Sequence, residues 1–149
     1  VALFLIGGPS KHYYWNTKAV LEKIKNISKQ YEFKKLLLTT SRRTPLNFIN
    51  EFNNLKIKNM KLCEHAKIEN DWLEKNITKV KNVWVTNDSY SMLIEAIASG
   101  AYTDILDLEI KKKSKLSEEI EKIKKNIRKK FPMPNEAKRV SEFIKKIWF

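Results

Sequence analysis

A chain of 149 residues with a hydrophobic share of 42% is sized for one domain around one core, which excludes a disordered polymer. No apolar run approaches the roughly 20 residues of a membrane span, and the single cysteine, Cys63, excludes an internal disulfide and Cys/His metal spacing, so a cytoplasmic protein without metal or cofactor is expected. The net charge of +13 comes from 30 basic residues, only four of them arginine. With abundant Asn and Ile, that bias reads as drift in an AT-rich genome over a solvated surface, an anionic partner being the alternative.

In chain order, Val1–Ile6 is a continuous apolar run ended by Gly-Gly-Pro, the pattern of a strand buried on both faces. Because it opens directly inside this run and without methionine, the chain is expected to be part of something longer. Val20, Ile24, Ile27 and Tyr31 then step at helical spacing across Asn16–Tyr31. Lys34–Thr40 is the second strand, and Thr44 is expected to cap a helix that has Pro45 at its first position and Leu46, Ile49 and Phe52 on its face. A weaker third strand falls in Met60–His65, followed by a short helix at Asp71–Asn76. Asn82–Asn87 is the fourth strand. Asp88-Ser89 should cap a helix running to Ser99, with Gly100 at its stop. Tyr102–Leu108 is the fifth strand. Two helices follow, one carrying Ile120, Ile123, Ile127 and Phe131, the other Val140, Phe143, Ile144 and Ile147, with Pro132-Met133-Pro134 between them.

Strands alternating with helices imply right-handed crossovers and a parallel sheet. The expected fold is α/β: a Rossmann-like, doubly wound parallel sheet of five strands in order 3-2-1-4-5, with helices on both faces. Ligands in such sheets sit beyond the carboxyl ends of the strands, where the order reverses. Three loops meet there.

The first loop holds two of the three glycines, Gly7 and Gly8, before Ser10 and His12. Glycines let the backbone turn tightly and offer N–H groups to an anion, although a simple tight turn is the alternative. His12 is the one candidate here for a catalytic acid or base. The second loop sets Arg42 and Arg43 between Ser41 and Thr44, where guanidinium forks suit phosphate or carboxylate, unless they are merely surface charge. The third places Asp88, Ser89 and Ser91 at a helix start, which either caps the helix or binds phosphate; Glu95 one turn on could accept ribose hydroxyls.

The strings GGPSKHY, TTSRRTP and VTNDSYSMLIEAIASG resemble the elongated-mitochondria fission protein family and its bacterial relatives, across roughly residues 1–108. The resemblance implies a GT-B-like architecture of two Rossmann-like halves, this chain being the C-terminal half and an N-terminal domain the missing partner. In GT-B glycosyltransferases that half holds the nucleotide-sugar donor, and a Glu followed five residues later by Gly contacts the ribose, as Glu95 and Gly100 would here. By the same resemblance Ser10 and Ser89 would face the diphosphate with Arg42 close by. One departure is Ala101-Tyr102, where relatives carry a basic residue and Pro.

The reading that follows is a domain binding a nucleotide sugar or another phosphate-bearing small molecule. Any catalysis would be metal-independent glycosyl transfer. A rival is a non-catalytic scaffold at a membrane surface, using the Lys-rich tract Lys111–Lys130 against anionic lipid. Nucleic-acid binding through the same lysines ranks last, because no aromatic platform is interleaved with them.

Overall fold

A computed structural model describes residues 1–31 and 33–130. Five strands, β1 (Ala2–Leu5), β2 (Leu36–Thr39), β3 (Met60–Cys63), β4 (Asn82–Thr86) and β5 (Tyr102–Leu106), alternate with α1 (Thr17–Gln30), α2 (Leu46–Leu55), α3 (Trp72–Ile77) and α4 (Tyr90–Ala98). A fifth helix, α5 (Lys115–Lys130), follows β5. Every strand pairing is parallel and the order is β3-β2-β1-β4-β5, the expected doubly wound α/β sheet. Winding reverses at β1, so right-handed crossovers send helices to both faces. Among the described residues, the one antiparallel contact, between Tyr13 and Ile110, is an isolated bridge outside the strands.

Burial explains why some strands were plain in the sequence and one was faint. All residues of β1, β2 and β4 are buried, which demands unbroken apolar runs. Strand β3 lies at the sheet edge and buries only Cys63, so its sequence carries little pattern. The core is knitted by aromatic rings. Trp84 stacks on Phe4 of the neighbouring strand with centroids 5.2 Å apart, and Tyr31 and Phe33 meet it at 5.5 and 5.7 Å.

Helix ends follow local chemistry in some places and not in others. The Asn16 side chain caps α1 by accepting the Ala19 N–H at 3.0 Å. Gly100 follows α4 at φ 83°, the left-handed stop expected of it. The expectation for α2 needs correcting: Pro45, not Thr44, stands at its cap position, and α2 begins at Leu46 with no side-chain cap. The cap expected from Asp88-Ser89 also needs correcting. Ser89 occupies the cap position of α4, but neither side chain bonds the helix start. In both cases a partner on another loop has taken the side chain. The end of the first terminal helix at Phe131, the Pro132-Met133-Pro134 break and the helix placed over Val140, Phe143, Ile144 and Ile147 lie outside the described residues.

Candidate functional site

The loops after β1, β2 and β4 are bolted together at the carboxyl end of the sheet. Gly7 N–H donates to Thr86 Oγ1 at 2.9 Å, and Gly8 N–H donates to Asp88 Oδ2 at 3.0 Å. The same carboxylate oxygen accepts from Arg43 Nη2 at 2.7 Å, and that nitrogen also reaches Ser89 Oγ at 3.4 Å. The Thr44 hydroxyl accepts the Ser41 N–H at 2.9 Å and donates to the Gly7 carbonyl at 2.6 Å. Each bond joins residues on different loops or closes a loop on itself. Together they outcompete the capping roles that the local sequence suggests.

The two glycines are needed for closeness rather than for unusual backbone angles. Neither has a positive φ. A Cβ built on Gly8 would overlap the backbone carbonyl of Arg43 and press Thr44 N at 2.9 Å; one on Gly7 would overlap the Asp88 carboxylate and lie 2.5 Å from Ser89 Oγ. Their N–H groups, expected to face an anionic ligand, are both engaged by side chains of the β4 end. The anion at Gly8 is Asp88 itself, whose side chain is fully buried and whose Oδ1 has no hydrogen-bond partner.

Beside this lock opens a cavity of about 590 Å³. Its polar lining includes Thr40, Ser41, Arg43, Ser89 and Ser91. Its apolar lining comes from Ile68, Trp72, Leu73, Tyr90, Met92 and Leu116, and His65, Glu69 and Asn70 line it as well. The structure therefore brings together Ser41, Arg43, Asp88, Ser89 and Ser91 around one space, with Gly7 and Gly8 buried behind them. The other expected residues fall elsewhere. Arg42 is exposed and makes no hydrogen bond or ion pair among the described residues. Ser10 Oγ accepts the Tyr13 N–H at 3.2 Å. Glu95 is exposed one turn beyond Ser91 and does not line the cavity. His12 does not line it either; its Nδ1 is buried without a partner, and its carbonyl accepts the Lys111 N–H at 2.8 Å. Sequence reasoning missed the α3 wall and His65. The available sign was a tryptophan, Trp72, opening a short polar helix.

Next to His12, Tyr13 is 2% exposed and its hydroxyl finds no partner. Burial, aided by the charges of Glu121, Asp88 and Asp107, pushes its pKa up to about 12. The folded value lies above the unfolded value of about 10, so the neutral phenol's contribution is complete below pH ~10 and is lost as pH climbs through about 12. Tyr13→Phe removes an unsatisfied polar atom. It should melt at or above the wild-type temperature at neutral pH and lose less stability between about pH 10 and 12. Thermal denaturation across that range checks both points, and a variant clearly less stable at pH ~7 would mean the hydroxyl has a partner.

Among the described residues no cluster of three or more His, Cys, Asp or Glu is placed to hold a metal ion, and no helix is long and apolar enough to cross a membrane. The fold and the interlocked rim define a Rossmann-like α/β domain with its cavity at the carboxyl ends of the strands. The sequence profile of the family described as "Mitochondrial fission ELM1" matches residues 1–145, and the chain belongs to that family. No curated protein and no solved structure matches it.

Proposed function

We propose that this domain binds a nucleoside diphosphate ligand of the nucleotide-sugar type in the cavity beside the loop lock. The observation that carries the reading is the cavity's mixed lining. Arg43 and a set of hydroxyls line it together with half-buried Trp72, Ile68 and Met92. A phosphate-bearing ligand with a flat, largely apolar base matches that combination, and the volume falls in the usual range for small-molecule sites. In this reading Arg43 takes the place first given to Arg42, because Arg43 alone of the pair faces the cavity. Ser89, at the start of α4, lines the same cavity as Arg43, and the helix dipole there favours negative charge.

The same reading makes the chain the donor-binding half of a two-domain, GT-B-like protein, and metal-independent glycosyl transfer the reaction class. In such chemistry a guanidinium and a helix N-terminus stabilise the departing diphosphate. His12 stands off the cavity, so any base comes from elsewhere. The test is calorimetric titration of UDP, GDP and CMP into wild type, Arg43→Ala and Arg42→Ala. A charge-assisted pair contributes about 1.5–3 kcal/mol, so Arg43→Ala should weaken binding roughly ten- to hundredfold. Arg42→Ala should change it by no more than about threefold. Absence of binding at millimolar nucleotide, or equal effects of the two substitutions, would sink the assignment.

A second reading draws on α5, where Lys115, Lys122, Lys125, Lys129 and Lys130 are exposed while Lys124 and Arg128 turn to Asp107 and Asp104 at 2.9 and 2.7 Å. The exposed face that these lysines share with Glu118 and Glu119 is basic on balance, which suits an anionic membrane surface. Salt-sensitive binding to phosphatidylserine vesicles, with no nucleotide affinity, would favour that scaffold reading.

A further inference from the structure

At the amino end of the sheet α1 ends, α2 turns into β3, and the chain enters β2. A cavity of about 340 Å³ is lined there by Lys25, Ser28 and Lys29 of α1 and by Lys56 and Lys58 of the α2–β3 turn. An adjoining one of about 450 Å³ shares Ser28 and Lys58 and adds Lys34, just before β2. No carboxylate lines either cavity among the described residues. Lysines in other clefts are answered: Lys18 lies with Glu22 and Glu51, and Lys23 with Asp104 and Asp107. Among the described residues, none of the five amines at the sheet's amino end makes an ion pair or a hydrogen bond. Glu32, adjacent in sequence, lies outside those residues. The ends of α1 and α2 oppose an anion with about half a negative charge each, against five full positive charges, so the place stays positive. Compensation of those dipoles accounts for Lys29, the one basic residue in the last turns of the two helices, and leaves four amines unexplained. The turn also holds Lys56 at φ 50° and Asn59 at φ 64°, the only non-glycine residues with positive φ among the described residues. Glycine is favoured at such a helix stop, as at Gly100. Lysine at position 56 strains backbone that glycine would relax, and it sets an amine on the cavity.

We propose that this cavity is a second binding site, for a small anion with clustered phosphate groups. Free polyphosphate and the headgroup of a phosphorylated inositol lipid share that chemistry. An ammonium group binds phosphate as a point charge and needs no fixed fork, so several lysines around one space suit an anion whose charges are themselves close together. The volume lies at the small end of the range for ligand sites, as a compact anion requires. The proposal does not rest on the nucleotide reading, because Arg43 and its cavity stand at the carboxyl ends of the strands.

The test is calorimetric titration of the full chain with inorganic tripolyphosphate at about 0.15 M salt, where charges more than about 8 Å apart are largely screened. A site variant combines Lys25→Gln, Lys29→Gln, Lys56→Gly and Lys58→Gln. A control combines Lys11→Gln, Lys18→Gln, Lys61→Gln and Lys79→Gln, which removes the same charge from exposed positions that line neither cavity. An exposed charge pair is worth up to about fivefold, so the site variant should bind at least about tenfold more weakly than wild type. The control should stay within about threefold. Lys56→Gly alone should bind about two- to fivefold more weakly yet melt no lower than wild type, because the turn relaxes. Equal losses in the two fourfold variants would mean that net charge alone attracts the anion, and the proposal falls. It falls too if wild type does not bind at millimolar tripolyphosphate. Amine acetylation of wild type gives a check that needs no variant to fold. Tripolyphosphate should shield Lys25, Lys29, Lys56 and Lys58 and leave Lys11, Lys61 and Lys79 reactive, whereas uniform shielding overturns the site. Phosphatidylcholine vesicles carrying phosphatidylinositol bisphosphate, set against phosphatidylserine vesicles of equal charge, distinguish the two sources of the anion. Preferential capture by the former, lost in the site variant, assigns the lipid headgroup, and no preference assigns the free anion.

Discussion

Gly8→Ala should lower the melting temperature by about 10–20 °C, equivalent to about 3–5 kcal/mol for a chain of this size. The added methyl meets backbone, the carbonyl of Arg43 and the amide of Thr44, which cannot rotate aside as a side chain can. Relief requires the β2–α2 loop to move away, and that movement breaks the Thr44 bond to Gly7 and the Arg43 bond to Asp88. The variant should therefore lose ligand binding along with stability. Gly100→Ala supplies the contrast. Nothing lies near its Cβ, and only the φ of 83° is unfavourable, so a cost of about 1–2 kcal/mol is expected. Equal effects at the two positions in thermal denaturation would refute the distinction between crowding and backbone strain.

Trp84→Ala should cost as much, about 3–5 kcal/mol, for a different reason. The indole is 3% exposed and stands at the centre of the ring cluster with Phe4, Tyr31 and Phe33. Truncation leaves a cavity that three stiff aromatic neighbours cannot close. Trp84→Phe keeps a stacking surface and should recover more than half of the loss. Trp84 has no part in the loop lock or the cavity beside it, so the fraction still folded should bind ligand as wild type does. Chemical denaturation with a parallel titration checks both halves of this expectation. A loss below about 1 kcal/mol would mean the cluster is looser than its geometry implies.

The sheet was legible because its burial is written locally. A strand covered on both faces must be apolar throughout, as Ala2–Leu5, Leu36–Thr39 and Asn82–Thr86 largely are, and the intervening helices announce themselves by period. Order then follows from handedness. The site was legible only as a neighbourhood. Thr44 and Asp88 have the composition of helix caps, and a local rule assigns them so. Their true partners lie 37 and 80 residues away, on the Gly7 carbonyl and the Gly8 amide. Arg42 and Arg43 are indistinguishable in the sequence. The turn closed by Ser41 and Thr44 accompanies the inward placement of Arg43, and nothing in composition encodes that choice. The apolar wall was hidden for another reason. It follows β3, an edge strand too exposed to show a pattern, so Ile68 and Trp72 seemed to belong to a connecting segment.

The interlocked loops also constrain how relatives can diverge. Gly7, Gly8, Thr44 and Asp88 each occupy space or bonding capacity set by another loop, so none can be exchanged alone without disturbing its neighbours. A larger residue at Gly8 needs a displaced second loop, and a displaced second loop frees Arg43 from Asp88. Substitution should therefore pass through these positions as a joint step or not at all, even where the surrounding lysines exchange freely. Among distant relatives, the four residues should be inherited together or replaced together, and that linkage would mark the rim where overall identity has faded.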